Sequence, residues 1–177
     1  MRVIAGRWRG RRLTAPAGAA TRPTSDRTRE ALFSILGERV ANARVLDLFA
    51  GSGALGIEAL SRGAAEATFV DSAPAAIRAV RANLAAVGAR AEVRRSDARR
   101  FLGGASAAAR QYDLVFLDPP YRLAGDLGGA LTAALPAVLA PGAAVIAESD
   151  RRAPLELGLP LVDERRYGDT LIRIHVP

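Results

Sequence analysis

A chain of 177 residues, half of them hydrophobic, is long enough to form one domain with a sizeable core. It has no cysteine and one histidine, His175, which reads as a strand residue; this composition excludes a disulfide framework, thiolate chemistry, histidine metal clusters and a Ser–His triad. The net charge is +7 and every basic residue is arginine; residues 1–44 hold ten arginines against Asp26, Glu30 and Glu38, while the rest of the chain balances.

Taken in chain order, Arg2–Gly6 and Gly10–Leu13 read as the two halves of a small hairpin. Arg2, Arg7, Arg9, Arg11 and Arg12 break up any signal-peptide pattern, and no apolar run is long enough to span a bilayer, so a cytoplasmic location without a membrane partner is expected. Trp8 among these arginines suits phosphate contact combined with base stacking; a solvated tail is the alternative. Thr14 to Pro23 reads as a loop. Thr24 or Ser25 caps a helix whose apolar face is Ala31, Leu32, Ile35 and Leu36, and Gly37 weakens its end.

From Val45 onward strands and helices alternate. Strands are expected near 45–49, 66–71, 91–95, 112–117 and 143–148, with helices near 54–62, 74–87, 97–102 and 126–139. Gly103 to Ala109 reads as a small-residue loop, and Arg122 to Gly129 as a Gly-rich loop able to close over a substrate. Leu161–Tyr167 and Thr170–Val176 are joined only by Gly168-Asp169, which forces an antiparallel hairpin. A mostly parallel α/β sheet of Rossmann-like type, finished by that hairpin, is the expected fold.

The first strand runs into Ala50-Gly51-Ser52-Gly53-Ala54-Leu55-Gly56, a strand–turn–helix arrangement that binds nucleotides. The spacing fits the dinucleotide fingerprint, but Asp47 beside the turn would repel a pyrophosphate and attract an ammonium. That favours S-adenosylmethionine, which carries an ammonium and a sulfonium and no phosphate. A structural Asp47 is the alternative. Asp71, twenty positions after Gly51, is placed to hold ribose hydroxyls, or to cap the helix that Pro74 opens. Asp97 is placed to accept from an adenine amino group, or equally to cap a helix. Phe49, Ser52, Ser72 and Ala98 complete the candidate cofactor set.

Asp118-Pro119-Pro120-Tyr121 follows the apolar run 112–117. Proline cannot continue a central ladder, so the chain leaves the sheet here and presents a carboxylate, a free proline carbonyl and a ring face together. Those groups suit a planar aromatic amine: the base stacks on Tyr121 while its NH2 donates to Asp118 and the Pro119 carbonyl. A strand-terminating turn with a surface tyrosine is the plain alternative.

The segments MRVIAGRWRGRRL at 1–13, RPTSDRTREALF at 22–33, LDLFAGSGALGIEALSRGA at 46–64 and FLDPPY at 116–121 resemble the RsmD family of bacterial 16S rRNA guanine-N2 methyltransferases. The resemblance spans essentially the whole chain. It implies a seven-stranded class I methyltransferase fold, S-adenosylmethionine as donor, and one guanine of 16S rRNA on an assembling small subunit as target. With the charge segregation it points to a basic RNA-binding extension over 1–44, using Arg2, Arg7, Trp8, Arg9, Arg11, Arg12, Arg22 and Arg27, ahead of a catalytic domain over 45–177; the composition leaves no metal site, and a catalytic core this small is expected to be a monomer. An adenine-N6 or protein-glutamine methyltransferase, a non-catalytic RNA-binding assembly factor and an NAD-dependent reductase are the rival readings.

Overall fold

The computed structural model describes residues 1–17, 25–120 and 124–177, the last segment from its backbone alone over 124–126. Seven strands form one sheet: β1 (Arg44–Asp47), β2 (Glu66–Asp71), β3 (Glu92–Arg95), β4 (Tyr112–Leu117), β5 (Leu139–Asp150), β6 (Leu161–Tyr167) and β7 (Thr170–His175). Their order is β3-β2-β1-β4-β5-β7-β6. The first five strands run parallel, and β7 lies antiparallel to both β5 and β6. The α-helices among the described residues are α1 (Asp26–Leu36), α2 (Ala54–Ser61), α3 (Pro74–Val87), α4 (Ala98–Ala107) and α5 (Ala124–Ala134).

The side-chain period of two divides the apolar residues between two layers. Val45, Phe69, Leu114, Phe116, Ile146 and Ile172 face a core shared with α1, α2 and α3. Leu46, Val70, Val115, Leu117 and Val145 face the opposite core, shared with α4 and α5. Strands buried on both faces read as continuous apolar runs, and β2 and β4 occupy the residues expected of them.

Three expectations are corrected. The buried face of α1 is Thr28, Arg29, Leu32, Phe33 and Leu36, and Ile35 is exposed. Phe33 turns the helix this way by packing its ring 5.8 Å from that of Phe116. Gly103 to Ala107 is not a loop but the second half of α4, because Leu102 and Ala105 bury on one stripe with Ala98. Ala124 to Gly129 likewise lies in α5 rather than in a closing loop. Gly128 is there for close approach: a side chain on it would overlap the Glu156 carbonyl. Arg22, Thr24, Tyr121 and Arg122 lie outside the described residues.

Ser25 is the helix cap, its Oγ accepting from the Thr28 N–H at 3.0 Å. The expected hairpin at the start of the chain is a single antiparallel bridge, Arg2 with Arg12, around a 3-10 turn over Gly6–Trp8. The Val3 N–H donates to the Arg11 carbonyl at 2.9 Å and the Gly10 N–H to the Val3 carbonyl at 2.9 Å. Val3 and Leu13 sink into the same core as α1 and β1. Gly6 sits at φ 78° with its Cα against Ser61, so a methyl there would overlap the Ser61 carbonyl. Gly6→Ala is therefore expected to destabilise the protein by about 2 kcal/mol or more. Thermal unfolding checks this, and a melting temperature within a degree or so of wild type would contradict it.

Candidate active site

The strand order reverses between β1 and β4, and ligands of open α/β sheets bind outside the carboxyl ends at such a point. Here β1 delivers the glycine turn and β4 delivers Asp118-Pro119-Pro120. Register places Asp47 opposite Phe116, and Phe116 opposite Ile146. Continuing the alternation puts Asp47, Asp118 and Glu148 on the same sheet face of three adjacent strands. Glu148, which sequence reasoning missed, is 4% exposed. It lies in an apolar run of β5, where only its register against β4 reveals it.

Asp47 is the last residue of β1 and is 2% exposed. Its Oδ2 accepts the Gly56 N–H at 3.0 Å, tying the strand end to the first turn of α2. Burial pushes its carboxyl up to about 7; the Gly56 bond opposes this and Asp71 adds to it. Asp71 accepts the Gly51 N–H at 2.9 Å on Oδ2 and the Ala73 N–H at 2.8 Å on Oδ1. It therefore braces both turns. The α3 cap position belongs to Ala73, with no side-chain bond, so the expected capping role is not taken up. Each Asp71 oxygen keeps a further lone pair for a hydroxyl. Gly51 and Gly53 adopt φ 54° and 78°. A side chain on Gly56 would run into the Phe69 ring, so α2 can approach β2 only with glycine there.

Asp118 is half-buried, Pro119 buried and Pro120 exposed. Burial holds the Asp118 carboxyl well above the usual range, reinforced by Glu148 and then Asp47. Asp97 caps α4, its Oδ1 accepting the Arg100 N–H at 2.9 Å; the side chain is exposed and Ala98 beside it is buried. Ser72 is exposed, and Phe49 packs against the α4–α5 core.

The basic arm is anchored by two buried polar side chains that sequence reasoning did not find. Glu58, 0% exposed, accepts the Ile4 N–H at 2.7 Å, the Ala5 N–H at 3.0 Å and Arg62 Nε at 2.7 Å. Asn83 on α3 exchanges two bonds with Thr14 and also donates to the Ser52 carbonyl at 2.8 Å. A glutamate in an apolar helix was the available signal for the first. Trp8 N–H donates to Ser61 Oγ at 3.0 Å, and the Arg7 guanidinium lies 5.8 Å from the Trp8 ring centroid. Trp8 and its neighbouring arginines thus sit at the C-terminal end of α2, while Met1 reaches the glycine turn, its Sδ 3.5 Å from Ser52 Oγ. Arg2, Arg7, Arg9, Arg11, Arg12 and Arg27 are all exposed. Arg2 Nε pairs with Asp26 at 3.3 Å. His175 lies in β7 with Nδ1 3.0 Å from the Leu159 carbonyl oxygen.

Among the described residues no group of His, Cys, Asp and Glu is arranged to hold a metal ion, and no helix is long and apolar enough to cross a membrane. The family pattern described as "Conserved hypothetical protein 95" matches residues 1–176. The Escherichia coli protein named ribosomal RNA small subunit methyltransferase D is 46% identical over 123 residues, which take in 69% of this chain and 61% of that protein. A hypothetical protein of Thermus thermophilus superposes with TM-score 0.87 at 34% identity, covering 100% of this chain and 99% of that one. The T. thermophilus 16S rRNA N2 G1207 methyltransferase, solved with AdoMet and guanosine, shares the fold at TM-score 0.70 and 23% identity, covering 90% of this chain and 44% of that one.

The raised Asp47 carboxyl makes a prediction about stability. The fold keeps a proton on Asp47 up to about pH 7, whereas the unfolded chain releases it near about pH 4. This group's contribution is therefore complete below about pH 4 and is lost as pH rises through about 7. Thermal unfolding from pH 4 to 8 should fall more steeply with pH in wild type than in Asp47→Asn. Parallel curves would show that Asp47 is ionised in the fold throughout.

Proposed function

The chain belongs to this family, the RsmD family, and from that premise we propose that it transfers a methyl group from S-adenosylmethionine to the exocyclic N2 of one guanine in 16S rRNA during small-subunit assembly. The observation that carries the reading is the pairing, at the strand-order reversal, of a glycine turn backed by carboxylates with Asp118-Pro119-Pro120. Asp47 and Asp71 make this rim unfavourable to a pyrophosphate and favourable to a cationic nucleoside. Gly53, where a side chain would press at 3.2 Å on Phe69 and 3.3 Å on Val80, keeps the turn low enough to seat a ligand against backbone.

Asp47 and the turn from Gly51 to Gly56 hold the amino-acid end in this reading, Asp71 and Ser72 the ribose, and Asp97 with Ala98 the adenine. When bound, the donor supplies a methyl group made electrophilic by its sulfonium. The guanine amino lone pair is delocalised into the ring and nucleophilically poor. Asp118 and the Pro119 carbonyl accept its two N–H bonds, draw the nitrogen towards tetrahedral geometry and aim the lone pair. The raised Asp118 carboxyl is also suited to take the proton released from nitrogen. Tyr121 stacks the base removed from its RNA helix or loop. Residues 1–44 form the RNA-binding extension and 45–177 the catalytic part; the protein works as a cytoplasmic monomer.

Asp118→Ala is expected to lower turnover about a hundredfold or more while donor affinity changes little. Equal loss of both would make the residue structural. The group transferred is checked by methyl-label transfer to small subunits lacking the modification, followed by nucleoside analysis. N2-methylguanosine is expected, and N6-methyladenosine would overturn the assignment of the base. Replacing Arg9, Arg11 and Arg12 by alanine should weaken RNA binding and reduce the slope of log affinity against log salt by roughly 2 to 3. An unchanged slope would remove the arm from the RNA interface.

A further inference from the structure

The segment over 25–33 contains a charged group that the reaction described so far does not use. Arg29 is 0% exposed on the inner face of α1, alone among the arginines in the buried set of described residues. Its Nη2 donates to the Arg2 carbonyl at 2.6 Å and to Asp26 Oδ1 at 2.7 Å. Nε and Nη1 are buried and have no partner among the described residues. Asp26 is itself shared, its Oδ2 lying 3.3 Å from Arg2 Nε. Buried polar hydrogens without acceptors are rare in native proteins because desolvation is uncompensated, and a buried cation carries the larger cost. An apolar side chain of similar length would pack α1 without that cost. A guanidinium left with hydrogens to spare therefore points to an anionic ligand.

Its place in the fold says which one. Helix α1 leads through a 3-10 turn over Gly37–Val40 to Arg44, at the amino end of β1. Its first turns therefore lie towards the carboxyl edge of the sheet. Arg29 is one turn before Phe33, whose ring meets Phe116, two residues before Asp118. Arg2, whose carbonyl Arg29 holds, follows Met1, which touches Ser52 of the glycine turn. The buried and half-buried charged groups of the strands at this edge, Asp47, Asp71, Asp118 and Glu148, are acids, while the cations there, Arg95 at the end of β3 and Arg2, are exposed. Such a rim attracts the donor's ammonium and sulfonium but repels its α-carboxylate.

We propose that Arg29 is the cation that receives the α-carboxylate of the methyl donor, opposite Asp47 on the ammonium, so that the crevice matches both charges of the amino-acid end. The inference rests on the donor being S-adenosylmethionine. Nη1, at the tip of the guanidinium, has two hydrogens to give to the carboxylate oxygens, while Nη2 stays on Arg2 and Asp26 and keeps the side chain in place. Arg29 then has a second consequence: the same side chain that receives the donor fixes the backbone of the basic arm at Arg2.

Calorimetric titration of S-adenosylmethionine and of its decarboxylated analogue against wild type, Arg29→Gln and Arg29→Lys tests this. Wild type should prefer the complete donor by about tenfold or more. Arg29→Gln should bring the two affinities within roughly threefold, by weakening the complete donor while leaving the analogue nearly unchanged. Equal weakening of both ligands, or a preference retained in the variant, would overturn the proposal. Should Arg29→Gln fail to fold, Arg29→Lys keeps the charge but loses the planar tip, so the preference should persist there in reduced form, and equal weakening of both ligands would overturn the proposal. A loss confined to RNA affinity would assign Arg29 to the substrate's phosphates and overturn it too. A wild type that binds neither adenosyl ligand would instead defeat the donor reading, and that failure appears before any variant is measured.

Discussion

Two carboxylates at the ends of neighbouring strands grip the backbone of the glycine turn: Asp47 holds the Gly56 N–H and Asp71 holds the Gly51 N–H. Much of the crevice follows from that pair of bonds. The turn must carry positive φ at Gly51 and Gly53, and α2 must start where Gly56 can slip past Phe69. Replacing the aspartates by alanine would leave turn N–H groups without acceptors. The same two groups make the rim acidic, which under the proposed reading favours a cationic nucleoside over a pyrophosphate.

The arm is tied to this turn by buried polar groups rather than by apolar packing alone. Glu58 neutralises itself with two backbone N–H groups and Arg62, a satisfied arrangement that allows a carboxylate at 0% exposure. Asn83 spends its amide on Thr14 of the arm and Ser52 of the turn. The anchoring polar groups face inward and Arg2, Arg7, Arg9, Arg11 and Arg12 outward, so the arm's backbone is held in place while their charge stays at the surface. Exposed arginines on the arm and carboxylates at the sheet edge are thereby separated; in the proposed reading the first meet RNA and the second the donor.

Much of this was legible in the chain because it rests on local rules. Strand–turn–helix with glycine spacing, proline after an apolar run and a two-residue hairpin turn each have one cheap backbone solution, and β2, β4, β6 and α3 stand at or within a residue of where those rules put them. What was not legible depends on contacts between distant segments. Gly103 and Gly104 look like loop residues until Leu102 and Ala105 find the α4–α5 core. Gly128 looks like a hinge until Glu156 passes against it. Phe33, not periodicity, decides which side of α1 is buried, because its partner Phe116 is far along the chain. Glu148, Glu58 and Asn83 escaped notice for the same reason: each is a polar residue in an apolar stretch whose partners only the tertiary structure supplies.

Three carboxyl groups, Asp47, Asp118 and Glu148, share adjacent strands and one sheet face; burial raises the carboxyls of Asp47 and Asp118, and for Asp118 the neighbouring Glu148 and Asp47 add to it. Such a row stores a preference for positive charge. Under the proposed reaction the donor arrives with a sulfonium that the product thioether no longer has, so the row holds the reactant more tightly than the spent cofactor. Under that reaction the electrostatic gain that assembles the complex is relinquished by the methyl transfer itself, and the burial of Asp47 and Glu148 limits how far water screens it.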